Sequence, residues 1–132
     1  MPLSDFVGTW NIDGNNNFDA YMKACGVSFM TRKLAGSIKA VVHISFEGEN
    51  GTVRTVSTFK DHSCNFTLGK EFDEETIDGR KYKTTFTFDD EKLVQTQKGT
   101  NPSVITRFVK DGKLYVDMEC EGVKADRNYT KA

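Results

Sequence analysis

Apolar and polar residues alternate along most of the chain from residue 38 onward. In the first such segment, the even-numbered residues from Ile38 to Phe46 are all apolar, and most of the odd-numbered ones are polar. A period of two is typical of a β-strand that lines one face of a sheet. The Asn50-Gly51 pair that follows predicts a hairpin turn, because both residue types tolerate positive φ. The same alternation then resumes and continues to Tyr129.

Turn signals divide the rest of the chain into short alternating segments. They stand at residues 69–70, 78–79, 89–91, 99–102, 111–112 and 121–122, at roughly 8–12 residue spacing. The segments between them predict about nine strands, and the segment from Gly8 to Ile12 adds a tenth. An antiparallel meander of this length would leave two unpaired edges, which closure into a barrel removes. We therefore predict an all-β fold, a ten-stranded antiparallel up-and-down barrel.

One region lacks this alternation and instead has helical spacing of its apolar residues. Its first half has Asn17 as a candidate N-cap and Gly26 as a stop, and its second half has Ser28 and Gly36 in the same roles. Two short helices between the first two strands form a helix-turn-helix that cannot join the sheet. We expect this helical hairpin to cover one mouth of the barrel as a lid.

Length and charge exclude several classes of protein. With 132 residues, the chain forms a single domain over residues 1–132. A formal charge of −1 gives no basic excess that would indicate a nucleic-acid partner. No apolar run is long enough for a transmembrane helix, and residues 1–10 lack the basic and apolar parts of a secretory signal. With Met1 at the start, these features favour a cytoplasmic protein.

The cysteines give no sign of a disulfide framework or a metal site. Cys25, Cys64 and Cys120 are widely spaced, and they form neither a C-x-x-C pair nor a ligand cluster with His43 or His62. We expect three reduced thiols and no cofactor.

The face that the alternation assigns to the interior is too polar for a dry core. The parity that contains Phe66, Phe86, Val116 and Met118 also carries polar and charged residues, among them Thr55, Glu74, Arg80, Thr84, Gln95, Gln97, Arg107 and Arg127. Unpaired polar groups and charges are costly to bury, so this face either lies outside or lines a cavity. Because the opposite parity is far more charged in the last three strands, we predict a partly hydrated internal cavity.

Arg107, Arg127 and Tyr129 all lie on this predicted inward face. Two guanidinium groups and a phenol inside one cavity would form a site for an anion such as a carboxylate. Alternatively, each arginine pairs with an internal carboxylate or carbonyl and binds no ligand. Glu74 is the only inward carboxylate in the pattern, and one carboxylate cannot neutralise Arg80, Arg107 and Arg127 together. We therefore favour an anion site.

Several segments, in this order and spacing, resemble a known family. They are residues 6–10 (FVGTW), 17–22 (NFDAYM), 26–32 (GVSFMTR), 57–60 (STFK), 68–74 (LGKEFDE), 92–94 (KLV), 111–114 (DGKL) and 127–129 (RNY). The first motif is weak alone, since secreted lipocalins also carry Gly-x-Trp near their start. Together the segments cover nearly the whole chain, which resembles the intracellular fatty-acid-binding proteins and their retinoid-binding relatives.

This resemblance implies a clamshell barrel with a helix-turn-helix lid and a long-chain fatty acid as ligand. It implies that Arg127 and Tyr129 bind the carboxylate directly and that Arg107 binds it directly or through water. Around the tail, it implies a portal residue, Phe59, and two further tail contacts, Phe18 and Ile77, beside the inward-facing Val116 and Met118. Trp10 would instead pack in the closed end.

Other functions remain open at this point. A carrier of retinoic acid or another hydrophobic carboxylate needs the same anion site, whereas a secreted lipocalin would need a signal peptide and usually disulfides. No nucleophile or acid–base pair indicates an enzyme of lipid metabolism. We expect a monomer. Lys23, Arg32 and Lys33 on the lid are either a solvated face or a site of transient contact with anionic membranes.

Overall fold

A ten-stranded sheet forms most of the molecule. The computed structural model describes residues 2–36, 39–57 and 61–132. The strands are β1 (Gly8–Asn16), β2 (Val41–Glu47), β3 (Asn50–Val56), β4 (His62–Thr67), β5 (Phe72–Glu75), β6 (Lys81–Asp89), β7 (Lys92–Lys98), β8 (Ser103–Lys110), β9 (Lys113–Cys120) and β10 (Val123–Lys131). The helices are α1 (Pro2–Phe6), α2 (Phe18–Ala24) and α3 (Phe29–Gly36).

The sheet is antiparallel and nearly closed. Its strand order is β4-β3-β2-β1-β10-β9-β8-β7-β6-β5, so the first and last strands pair with each other. The gap between the two edges, β4 and β5, is spanned by contacts from β4 to β6: the rings of Phe66 on β4 and Phe86 on β6 stack with centroids 3.7 Å apart. The amide of Gly69 also donates to the carbonyl of Phe86 at 2.8 Å. The predicted up-and-down barrel is confirmed.

The predicted lid is also confirmed, with one correction at its start. Helices α2 and α3 lie between β1 and β2, and the Ser28 hydroxyl accepts from the amide of Thr31 at 3.4 Å, as expected of an N-cap. The prediction that the Asn17 side chain caps α2 is wrong. Asn17 has left-handed backbone geometry (φ 60°), and its side chain instead donates to the carbonyl of Lys124 at 2.8 Å. It therefore ties the start of the lid to β10.

The opposite end of the barrel is closed by α1, which the sequence did not predict. Phe6 and Trp10 are each only 1% exposed, and the indole Nε1 of Trp10 donates to the carbonyl of Phe6 at 2.9 Å. The Phe6 ring packs edge-on against Phe88 at the end of β6. Trp10 therefore lies in the closed end, as the resemblance implied.

The three cysteines are buried and unbridged. Within the described ranges, no helix has the length and apolar character to cross a bilayer.

Candidate functional site

A cavity of about 260 Å³ lies inside the barrel beneath α2. The predicted partly polar interior is confirmed, since the cavity is lined by apolar side chains together with arginine, glutamine, threonine and carboxylate groups. The alternation of the strands explains this arrangement, because every second residue points inward.

The cavity contains nearly all the residues that were predicted to contact a ligand. Those in its lining are Phe18, Ile77, Arg107, Val116, Met118, Arg127 and Tyr129. The remaining residue, Phe59, lies outside the described residues.

Arg107 and Arg127 are brought together by the register of the last three strands. Both pair with Val116, which stands between them on β9, so the two arginines lie in one row across the sheet. Tyr129 follows Arg127 by two residues on β10 and therefore faces the same side. The three polar groups converge on one part of the cavity.

The guanidinium of Arg127 has unused hydrogen-bonding capacity. Among the described residues, its Nε is the one buried side-chain nitrogen or oxygen atom without a hydrogen-bond partner. Its guanidinium carbon lies 4.3 Å from the ring centroid of Phe18 and 5.9 Å from that of Tyr129. A buried donor of this kind is costly unless a ligand or water accepts from it.

Arg107 has a neutral hydrogen-bond partner on the neighbouring strand. Its Nη1 donates to Oε1 of Gln95 at 2.9 Å. Burial lowers the pKa of Arg107, and the nearby Cys64, Tyr129 and Glu74 oppose that lowering only in part. A cation destabilised by burial is stabilised by an anion placed beside it.

Glu74 is buried on the same wall and is held by three donors. Its carboxylate accepts from the Thr84 hydroxyl at 2.6 Å and from the amide nitrogens of Gln95 and Gln97 at 3.0 Å. Because Gln95 also accepts from Arg107, this glutamine connects the acidic group to the basic one.

The prediction that Glu74 is the only inward carboxylate is wrong. Asp78 also lines the cavity and forms a two-pronged ion pair with Arg80, at 2.6 and 3.0 Å. Burial raises the pKa of Asp78, but the hydrogen bonds and charge of Arg80 outweigh it, so the net shift is downward. Arg80 is thus neutralised internally. The sequence pattern marks Asp78-Gly79 as a turn, and the arginine two residues after the aspartate is the sequence signal for this local ion pair.

The lid is fastened to the barrel by polar contacts around the cavity mouth. The Tyr21 hydroxyl hydrogen-bonds the Ser103 hydroxyl at 2.5 Å, and Asn101 Nδ2 donates to the carbonyl of Cys25 at 3.2 Å. The backbone carbonyl of Asn101 in turn accepts from the Tyr82 hydroxyl at 3.0 Å. These contacts hold α2 over the mouth.

Two potentially reactive side chains of the lining are engaged or protonated. Burial raises the pKa of the Cys64 thiol to about 12, so the thiolate is scarce at neutral pH. His62 is the first residue of β4 and lines the cavity. Its Nε2 lies 2.6 Å from the carbonyl of Glu75.

Comparisons with known proteins agree with this architecture. The family model described as lipocalin / cytosolic fatty-acid binding protein matches residues 7–131. An adipocyte fatty acid-binding protein from Pygoscelis papua is 46% identical over 128 residues, which is 96% of this chain and 97% of the relative. A sodium/calcium exchanger regulatory protein from Doryteuthis pealeii is 40% identical over 128 residues, with 97% of each chain covered.

A solved structure gives the same result for the fold. The fatty acid binding protein of Schistosoma mansoni in complex with arachidonic acid superimposes with a TM-score of 0.95 at 38% identity, over 100% of this chain and 99% of that chain. A family of binding proteins supports the prediction of a carrier rather than an enzyme. From the family match over residues 7–131 and the near-complete coverage of its relatives, the chain belongs to the lipocalin / cytosolic fatty-acid binding protein family.

Proposed function

We propose that this protein is a monomeric cytoplasmic carrier that binds a long-chain fatty acid in its barrel cavity. The carboxylate is held by Arg127 and Tyr129 directly and by Arg107 directly or through water. The observation that carries the proposal is the buried Nε of Arg127, which has no hydrogen-bond partner among the described residues and belongs to a side chain of a cavity lining that also has apolar surface for an alkyl chain. Relatives whose names include fatty acid binding, one of them in complex with arachidonic acid, support the ligand class.

The charges of the described cavity lining favour an acidic ligand. Asp78 neutralises Arg80, and Glu74 offsets Arg107 through Gln95. Arg127 has no ion-pair partner among the described residues. A single carboxylate beside Arg127 therefore supplies the counter-charge that this wall lacks.

The alkyl tail provides most of the binding free energy. Burying a tail of about sixteen carbons is worth on the order of 10 kcal/mol, at roughly 0.8 kcal/mol per methylene, before the costs of immobilisation. Each charged hydrogen bond to the head group adds about 1.5–3 kcal/mol before desolvation. The tail sets affinity, whereas Arg107, Arg127 and Tyr129 set ligand class and orientation.

Exchange of the ligand proceeds by contact of the lid with anionic membranes. Helix α3 exposes Phe29 (64%), Met30 (76%) and Leu34 (43%), and Lys23 and Lys33 are exposed nearby. Arg32 contributes little to this surface, because its side chain is mostly buried and bonds to Asp19 and to the carbonyl of Val27. Apolar side chains beside lysines are suited to an anionic lipid surface.

Calorimetry with oleic acid and oleyl alcohol tests the head-group assignment. The two ligands share a tail, so only the carboxylate distinguishes them, and we expect the acid to bind at least tenfold more tightly. Native mass spectrometry of freshly purified protein, followed by extraction of the bound lipid, identifies the endogenous ligand. Equal affinity for acid and alcohol, or a co-purified lipid without an acidic group, would refute the anion site.

The membrane step is tested by the rate of fatty acid transfer to vesicles. The double variant Lys23→Gln/Lys33→Gln should slow transfer to anionic vesicles more than transfer to neutral ones. A matched double variant, Lys110→Gln/Lys113→Gln, changes the same charge in a hairpin far from the lid. Equal slowing of transfer to both vesicle types would refute the proposed contact with anionic membranes.

A further inference from the structure

A second polar site lies on the cavity wall, beside the group that is proposed to bind the head. We call it the Glu74 cluster, and it consists of Glu74, Thr84, Gln95 and Gln97. All four side chains are buried, with at most 8% exposure. Glu74, Gln95 and Gln97 line the cavity, so the cluster faces the space that a ligand tail would occupy.

The carboxylate of Glu74 is only partly satisfied by the protein. Within the described part of the chain, its Oε1 accepts from Thr84, Gln95 and Gln97, whereas its Oε2 accepts from Gln95 alone, at 3.0 Å. Every partner is a donor, which is the pattern of an ionised carboxylate, and each oxygen of such a group has about two acceptor positions. Oε2 therefore retains the capacity to accept one further hydrogen bond.

A plain alkyl chain is a poor match for this wall. A methylene chain packed against Oε2 removes water from a buried carboxylate and returns no hydrogen bond, which is unfavourable. A hydroxyl at that point of the chain would donate to Oε2 and replace the lost water with a charge-assisted bond. A carbonyl there would not, because a ketone and an ionised carboxylate are both acceptors.

We propose that the Glu74 cluster recognises a hydroxyl group on the ligand tail, so that the preferred ligands are long-chain hydroxy fatty acids. This inference rests on the proposed function, since it assumes that the carboxylate binds near Arg107 and Arg127. One glutamine, Gln95, contacts both Arg107 and Glu74. The recognised hydroxyl therefore lies on the half of the tail nearer the head group.

The test compares octadecanoic acids that differ in a single oxygen. The ligands are octadecanoic acid itself and its 3-, 7- and 10-hydroxy and 3-, 7- and 10-oxo derivatives, titrated into the whole protein by calorimetry. We expect the hydroxy acid to bind about tenfold more tightly than the oxo acid at position 3 or at position 7, and the 10-hydroxy and 10-oxo acids to bind alike. Hydroxy and oxo acids of equal affinity at positions 3 and 7 would overturn the inference, whatever the result at position 10.

A substitution locates the effect on the carboxylate. Glu74→Gln keeps the shape of the side chain but supplies an amide that can donate to a ketone, so the hydroxy-over-oxo preference should shrink to about twofold or less. The matched control is Thr55→Val, another cavity-lining position that is outside the cluster, and it should keep the preference. A preference that persists in Glu74→Gln contradicts the assignment. The wild-type ligand series decides the question alone should that variant fail to fold.

The same titrations separate this inference from the proposed function. Octadecanoic acid that binds while its hydroxy and oxo derivatives are indistinguishable would refute hydroxyl recognition and leave the carrier function intact. Failure of every acid to bind would refute both.

Discussion

The guanidinium carbon of Arg127 lies 4.3 Å from the centroid of the Phe18 ring. Phe18 is the first residue of lid helix α2, and Arg127 belongs to the last strand of the barrel. A cation over a ring face at this distance is attractive, by about 0.5–2 kcal/mol depending on desolvation. The proposed head-group anchor is therefore in direct contact with the lid that covers it.

This contact predicts that Phe18 slows ligand release. Phe18→Leu removes the ring that covers Arg127, so we expect fatty acid to dissociate several-fold faster. Stopped-flow displacement of a fluorescent fatty acid by excess unlabelled acid measures this rate. Phe29→Leu, on the exposed side of α3 and outside the cavity lining, is the matched control and should leave the rate unchanged in this assay, which contains no vesicles. Equal rates in the wild type and Phe18→Leu would mean that the ring does not retain the ligand.

The two cavity arginines are predicted to contribute unequally to affinity. In the described part of the chain Arg127 Nε has no partner, whereas Arg107 already donates to Gln95, so Arg127→Gln should weaken oleate binding more than Arg107→Gln does. For Arg127→Gln we expect a loss of about 10- to 100-fold, from about 1.5–3 kcal/mol per charged hydrogen bond. Calorimetry with oleic acid and oleyl alcohol provides the measurement.

A third arginine supplies the control for that comparison. Arg54 is exposed and forms a loose pair with the exposed Asp61, so Arg54→Gln should leave both affinities unchanged. Binding of the alcohol should change little in any of the three variants. An Arg127→Gln protein that binds the acid as tightly as the wild type does would contradict the role assigned to this residue.

The barrel and the content of its interior were predictable from the sequence because strands impose a period of two. Once that parity was assigned, the inward positions of Arg107, Val116 and Arg127 followed directly. The register adds that Val116 pairs with both arginines. The register could not be read from the chain, because it depends on turn geometry and pairing partners rather than on alternation alone.

Features that lie outside the strands were less predictable. Asp78 is in a turn, where no parity assigns a side chain to the interior, so its ion pair with Arg80 was missed. Helix α1 has only five residues, too few to show a period of 3.6. The side chain of Asn17 was expected at the helix start, but the left-handed backbone there directs it to Lys124, a contact 107 residues away in the chain.

Asn101 is predicted to hold the lid in place. Its side chain donates to the carbonyl of Cys25 at the end of α2, so Asn101→Ala should loosen that end. We expect hydrogen exchange of the α2 amides to become several-fold faster while strand amides stay protected. Asn65→Ala is the matched control, because Asn65 is exposed and accepts from Thr52 on a neighbouring strand, far from the lid in the sheet. Unchanged exchange in α2 would show that other contacts suffice to hold it.

Acid is predicted to remove the stabilising contribution of the ion pair between Asp78 and Arg80. Burial raises the pKa of Asp78, but the hydrogen bonds and charge of Arg80 lower it by more. The pKa of Asp78 in the folded protein therefore lies below its ordinary value of about 3.9. The ion pair therefore stabilises the fold fully at pH values above the ordinary pKa, about 3.9, and this contribution is lost as pH falls toward and through the lower pKa of Asp78 in the folded protein. At pH 7, Asp78→Asn should cost about 1–3 kcal/mol, because Arg80 keeps its charge without a carboxylate partner. Urea denaturation at pH 7 and at pH 3 should show this deficit shrinking in acid.

The control variant Asp73→Asn, which breaks an exposed pair with Lys83, should cost much less at pH 7. A deficit for Asp78→Asn that is as large at pH 3 as at pH 7 would mean that the ionised carboxylate is not what stabilises the wild type.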